Sequence, residues 1–302
     1  EPGSESVPSN IYGRRMALFG AFLLFLMMNP ADEVLMLGTL LSWATGMAKE
    51  HCLFIAAIVA VAVIYRGGLR SGVWTNVLEL GMMFGGFFLI LPFAAHKLGG
   101  LGYLQANLPA AHLTATGGKT LGYLLTWYLI AFWTLIDPTF QQRVSAAENP
   151  KTARNGILLS IAFWCVFDFM TTSAGLYARA LLPNLSEPML AYPMLADQLL
   201  PPVVRGLFFA GMMSSMIASL DSAVLVSAIL LAKDLLGRAF GAKEYEQENW
   251  LGWAVLVSGL VGLALALAIP SVVELWYAIG STVNPALILP VMSVYLPQLR
   301  VP

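Results

Sequence analysis

The stretch Gly211-Met-Met-Ser214-Ser215-Met-Ile-Ala218-Ser219-Leu-Asp221-Ser222 lies inside a long apolar run, and its small and hydroxyl residues recur at helical spacing. Ser215, Ser219 and Ser222 fall on one helix face, with Gly211 one turn before Ser215. Two readings suit the pattern. Hydroxyls, together with carbonyls freed by a helix break, supply the oxygens that a hard monovalent cation needs in a low-dielectric setting. Small residues in the same register equally let two helices approach closely, with the hydroxyls bonded back to their own helix. Asp221 adds a carboxylate that costs on the order of 3 kcal/mol to insert and is expected to line a polar pathway, unless water reaches it from the nearby end of the helix.

A second acidic feature, Asn29-Pro30-Ala31-Asp32-Glu33, interrupts another apolar run. Neighbouring helical positions diverge by about 100°, so at least one of Asp32 and Glu33 should face an interior rather than lipid. Asp137-Pro138, and Asn284-Pro285 after Gly280-Ser281-Thr282, each remove a helical hydrogen bond and free a carbonyl. Such a site is either a simple kink or a break lining a cavity. Trp164 and Asp168 stand one turn apart and share a face. His51, His96 and His112 fall at span ends or in loops, with no His-Glu-x-x-His pairing and no glycine-rich phosphate loop. No catalytic or cofactor-binding constellation is visible, and Cys52 and Cys165 read as small core hydrophobes.

The elements that must position these residues follow from composition. Of 302 residues, 58% are hydrophobic and only 11% charged, against roughly a quarter charged in soluble domains. Mean hydropathy is +0.75, which one soluble core could not absorb; lipid must be the main solvent. Apolar runs of bilayer length lie near Met16–Gly46, Ala48–Tyr65, Gly72–Ala95, Leu121–Gln142, Gly156–Leu181, Pro202–Leu236, Trp250–Ile269 and Ser271–Leu296, giving about eight spans. A net charge of −1 leaves no basic surplus for a phosphate backbone, which excludes a nucleic-acid partner.

Alternating sides puts eleven of the sixteen Lys and Arg residues on one face, which the positive-inside rule makes cytoplasmic. Splitting the first run at Asn29-Pro30 would leave halves of about 12 to 14 residues, too short to span. Met16–Gly46 is therefore expected to be one long, tilted helix with Asp32 and Glu33 near its middle. Pro202–Leu236 is a second over-long helix, and the two cross in opposite senses, as in inverted-topology repeats. Residues 1–302 read as a single transmembrane domain, with a cytoplasmic lead-in over 1–15, external loops over 96–120 and 182–201, and a cytoplasmic loop over 237–249.

Three motifs carry a family resemblance. Tyr65-Arg-Gly67-Gly68-Leu69 running into Val73-Trp74-Thr75-Asn76, Gln142-Arg143 followed by Ala146-Ala147 and Ala153-Arg154, and Met213-Ser214-Ser215 through Asp221-Ser222 to Lys233-Asp234 together resemble the sodium:solute symporter family. The resemblance implies an all-α integral membrane protein, a LeuT-type inverted-repeat helix bundle. The chain would cover core helices three to ten, with the preceding helices missing. It further implies a sodium site on Gly211, Ser214 and Ser215, and an ion pathway through Asn76 and Asp221. Asn76 stands where the family has Asp, so an ionised group on the inner exit route is lost. The positions at which a sugar-transporting relative holds its substrate become Ile130 and Trp164, which disfavours a sugar bound in that manner.

The resemblance implies sodium-coupled symport of a small polar solute (an amino acid, carboxylate, sugar or vitamin) across the plasma membrane by alternating access. Na⁺ would be the coupling ion and no cofactor is expected. Trp133 aligns with an aromatic inner gate, and Ile130, Trp133, Thr134, Trp164, Tyr277, Asp32 and Glu33 are the candidates for solute binding or gating. Two other classes compete. A symporter-like sensory domain would bind solute without net transport, and an intramembrane hydrolase would use two of its Asp residues, although Asp137, Asp168 and Asp221 form no paired motif.

Overall fold

The computed structural model describes residues 9–66, 72–295 and 298, and among them regular structure is helical throughout. The first expected span is divided into α1 (Ser9–Met27) and α2 (Ala31–Thr45), and α2 stops at Gly46, whose φ of 72° is the left-handed turn that glycine favours. Next come α3 (Lys49–Arg66), α4 (Gly72–Leu98) and the short α5 (Leu101–Asn107). The fourth expected span is three pieces, α6 (Leu121–Ala131), α7 (Trp133–Ile136) and α8 (Pro138–Ser145). Thr120 caps α6 by accepting from the Tyr123 amide, and Asn149 caps α9 (Pro150–Leu181) by accepting from Thr152.

After α10 (Ala191–Leu199), α11 (Pro202–Ile229) runs on through a widened, π-type stretch at Leu230–Gly237 into α12 (Arg238–Phe240). Two long helices, α13 (Glu244–Ala268) and α14 (Val272–Tyr295), complete the chain. Among the described residues six helices are long and apolar enough to cross a membrane, so the chain is a multi-pass membrane protein. The two expected spans not in that set are α3, which carries Lys49, Glu50 and Arg66, and the interrupted α6–α8. The expected loops also hold helix: α5 lies within 96–120, α10 within 182–201, and α13 begins at Glu244, inside 237–249.

The reading of Met16–Gly46 as one unbroken helix is corrected. Pro30 has no N–H to give the Leu26 carbonyl, which instead receives the Asn29 amide at 3.4 Å as the last turn tightens. Pro30 is fully buried, and a Cβ added to Gly262 of α13 would lie 3.0 Å from its Cγ. Asn29 Nδ2 donates to the Ser258 carbonyl of α13 at 3.4 Å. A length rule alone overlooks that a span can bend at a buried proline when a neighbouring helix receives the corner. Gly13–Thr45 remains one membrane-length segment of 33 residues.

Helix association in lipid gains little from hydrophobicity and depends on close packing. α11 supplies the axis. Leu220, Val224 and Ala228 pack with Leu35 of α2, Leu53 of α3, Val255 of α13 and Leu275 of α14. Its outer turn carries Phe208 into a second cluster with Phe87 and Ile90 of α4, Tyr177 of α9 and Leu195 of α10. A third cluster joins Leu24 of α1, Ile136 of α7, Leu230, and Val283 and Leu287 of α14. The clusters hold three broken segments, α1–α2, α6–α8 and the π-type stretch, around one region.

Candidate functional site

Because the chain turns at Asn29-Pro30, Asp32 and Glu33 occupy the first turn of α2 rather than the middle of a helix. Amides without intrahelical partners and the positive end of the helix dipole favour carboxylates there. The two side chains diverge. Asp32 Oδ2 accepts from Trp276 Nε1 of α14 at 2.7 Å, and Glu33 Oε1 accepts from Ser219 Oγ of α11 at 3.0 Å. Both residues line a cavity of about 760 Å³, together with Asp137, Trp133, Trp276 and the Ser215, Ser219 and Ser222 face of α11.

α6 ends at Ala131, the single-turn α7 follows, and Asp137 is extended (φ −67°, ψ 116°), so the helix is interrupted on both sides of α7. The Asp137 carboxylate starts α8, its Oδ1 accepting from the Thr139 amide at 2.7 Å, the Thr139 hydroxyl at 2.6 Å and the Phe140 amide at 3.4 Å. At the other break, Asn284 Nδ2 donates to the Ile130 carbonyl at 2.7 Å. Of the two readings of Asn284-Pro285, a kink or a break, the break is not seen, since α14 runs on as one helix past Pro285 and Pro290. Asn284 serves the break in the other helix.

The structure gathers some of the candidate residues and separates others. Ile130, Trp133, Thr134 and Trp164 share a second cavity of about 580 Å³, and Trp133, Asp137 and Trp276 line both cavities. Tyr277 lines neither; it stacks on Tyr123 at 6.1 Å beside a smaller cavity of about 280 Å³. Ser215 lines the large cavity, its Oγ also 3.4 Å from Met83 Sδ of α4. Gly211 is buried against α4, where an added Cβ would lie 3.3 Å from the Met82 carbonyl oxygen. Ser214 and Asp221 are half-buried and line neither cavity. Asp168 is exposed. The side chain of Asn76, with those of Tyr65 and Trp74 in the same motif and of Gln142 and Arg143 in the next, lies outside the described residues.

Sequence reasoning missed Trp276, which contacts Asp32 directly, and chose its neighbour Tyr277. Only the rotation of α14 about its axis separates the two. Among the described residues no Lys, Arg or His lines either of these two cavities, so their described walls offer carboxylates, hydroxyls and indole faces. Among the described residues no group of three or more His, Cys, Asp or Glu is placed to hold a metal ion. Carboxylates, hydroxyls and indole faces in this arrangement can hold a cation or a hydrogen-bonding solute.

The chain matches the sequence profile of the sodium:solute symporter family over residues 13–300. It is similar to the sodium/pantothenate symporters of Haemophilus influenzae, at 24% identity over 65% of this chain and 42% of the relative, and of Escherichia coli K12, at 26% over the same shares. It is also similar to the high-affinity choline transporter 1 of Drosophila melanogaster, at 28% identity over 80% of this chain and 41% of that protein. The chain thus spans about two fifths of the length of these relatives, all three of them named as transporters. With the profile match covering nearly every residue, and broken apolar helices meeting at a carboxylate-lined cavity, the chain belongs to the sodium:solute symporter family.

Proposed function

We propose that the protein couples Na⁺ entry to uptake of a small polar solute by alternating access, with the solute held between the broken helices. The observation that carries this reading is the large cavity lined by Asp32, Glu33 and Asp137, with no basic residue on its wall among the described residues. At about 760 Å³ it falls within the range of small-molecule sites, roughly 300–1,000 Å³. Na⁺ would act by binding one conformation preferentially, since a ligand shifts an equilibrium only through differential affinity. Gly211, Ser214 and Ser215 are the residues proposed for that ion, and Asn76 and Asp221 for its route.

Among the relatives, two are named for pantothenate and one for choline. A carboxylate solute would meet three acidic side chains and no countercharge in this cavity. A solute bearing an ammonium group would find Asp32 for its charge and the faces of Trp133 and Trp276 for cation–π attraction. We therefore favour an amine or quaternary ammonium solute. The test is radiolabelled uptake by the full-length protein in proteoliposomes, with and without an inward Na⁺ gradient, across ammonium compounds, carboxylates, sugars and neutral vitamins. Na⁺-dependent accumulation that collapses in Ser214→Ala/Ser215→Ala supports the symport reading. Binding without accumulation under any gradient refutes it, and a preference for carboxylates refutes the assignment of solute class.

A further inference from the structure

We propose that Glu33 and Ser219 form a second sodium site on the α2 side of the large cavity, apart from the one proposed at Gly211, Ser214 and Ser215. This inference rests on the symport reading. Glu33 is only 9% exposed. Its Oε1 accepts from Ser219 Oγ at 3.0 Å, while Oε2 is fully buried and has no hydrogen-bond partner among the described residues. A carboxylate in that condition, inside a membrane-length segment, costs several kcal/mol unless something neutralises it.

Among the described residues no Lys, Arg or His on the cavity wall supplies such a group. What the wall supplies is more negative charge. The adjacent Asp32 carboxyl lines the same cavity, and its Oδ2 is already engaged by Trp276. Two adjacent carboxylates, one with a free buried oxygen, call for a compact cation between them. The remaining donors are oxygens. Ser219 keeps a lone pair after donating to Glu33, and Ser215 and Ser222 continue the same face of α11 along the cavity. An all-oxygen set suits a hard ion. The buried position of Glu33 suits an inorganic ion better than an organic ammonium. An ion here would tie α2 to α11 one turn from Ser215, so that both sodium ions act on the same helix.

The experiment is equilibrium binding of ²²Na⁺ to purified full-length protein in detergent, which needs neither solute nor transport. The expected result is two ions per wild-type protein, one in Glu33→Gln and one in Ser214→Ala/Ser215→Ala. Ser219→Ala leaves the carboxylate in place and should weaken one class of sites about tenfold; unchanged affinity in that variant overturns the proposal even if Glu33→Gln fails to fold. One ion in the wild type, retained in Glu33→Gln, overturns the second site and leaves symport standing. Loss of proton uptake in Glu33→Gln with bound Na⁺ unchanged overturns the sodium assignment in favour of a proton. No bound Na⁺ in the wild type overturns both readings.

Discussion

Trp276 of α14 donates its indole N–H to the Asp32 carboxylate of α2 at 2.7 Å, joining positions 244 residues apart at the wall of the large cavity. The contact fixes one carboxylate oxygen and turns the indole so that its ring also borders the second cavity. Trp276→Phe keeps an aromatic ring but removes the donor. A hydrogen bond to a charged acceptor contributes roughly 1.5–3 kcal/mol, and 1.4 kcal/mol is a factor of ten in affinity. We expect the KM for an ammonium solute to rise about tenfold with kcat little changed, the pattern for lost ground-state binding. Uptake kinetics check it; an unchanged KM would remove Asp32 and Trp276 from the solute site.

How far the sequence revealed this site depended on range. The stripe of Ser215, Ser219 and Ser222 was legible because helical periodicity is local, and all three do line the cavity. Asp32 and Glu33 were legible as charges within an apolar run, but their setting was not. A length rule favoured one straight helix, and the corner at Asn29-Pro30 depends on Ser258 and Gly262, which lie more than 200 residues away. Asn284-Pro285 was read as a kink or a break in its own helix, whereas the partner of Asn284 is Ile130, 154 residues earlier. Local rules located the polar residues and could not say which helix each one serves.

That Asn284 contact predicts a stability effect. The Ile130 carbonyl sits one residue before the end of α6 at Ala131 and takes the buried Asn284 amide at 2.7 Å. Asn284→Leu would leave the buried carbonyl only the Phe132 amide of its own chain, at a cost of about 1–3 kcal/mol. Thermal unfolding of the purified protein in detergent should fall by several degrees. Asn284→Gln, which keeps a donor, should recover part of the loss; equal losses in the two variants would deny the hydrogen bond its role.

Close approach of α2 and α3 makes another prediction. A Cβ built on Gly38 would lie 2.6 Å from Leu53 Cδ2 and 3.0 Å from Leu53 Cα, so the clash includes backbone and cannot be relieved by a side-chain rotation alone. Gly38→Ala should destabilise by roughly 1–3 kcal/mol through overpacking. Gly85→Ala provides the control, because a Cβ there meets nothing within 4 Å, and helical propensity favours Ala by about 1 kcal/mol. Unfolding temperatures should therefore move in opposite directions, and a Gly38→Ala protein as stable as the parent would contradict this packing of α2 on α3.

Asp137 stands on the cavity wall and also caps α8, and two substitutions separate these roles. Its Oδ1 accepts from Thr139 and Phe140, a role that Asn fills about as well as Asp. Asp137→Asn should keep the unfolding temperature, whereas Asp137→Ala should lose about 1 kcal/mol, the usual cost of a missing N-cap. If the engaged carboxylate contributes to the solute site only by shaping the turn, Asp137→Asn also retains uptake, within about threefold of the parent KM. Asp32→Asn, which weakens the charge facing the solute, should raise that KM at least tenfold. Should Asp137→Asn abolish uptake at unchanged stability, its charge and not its cap is what transport requires, and the ammonium group would be placed between Asp32 and Asp137 rather than against Asp32 alone.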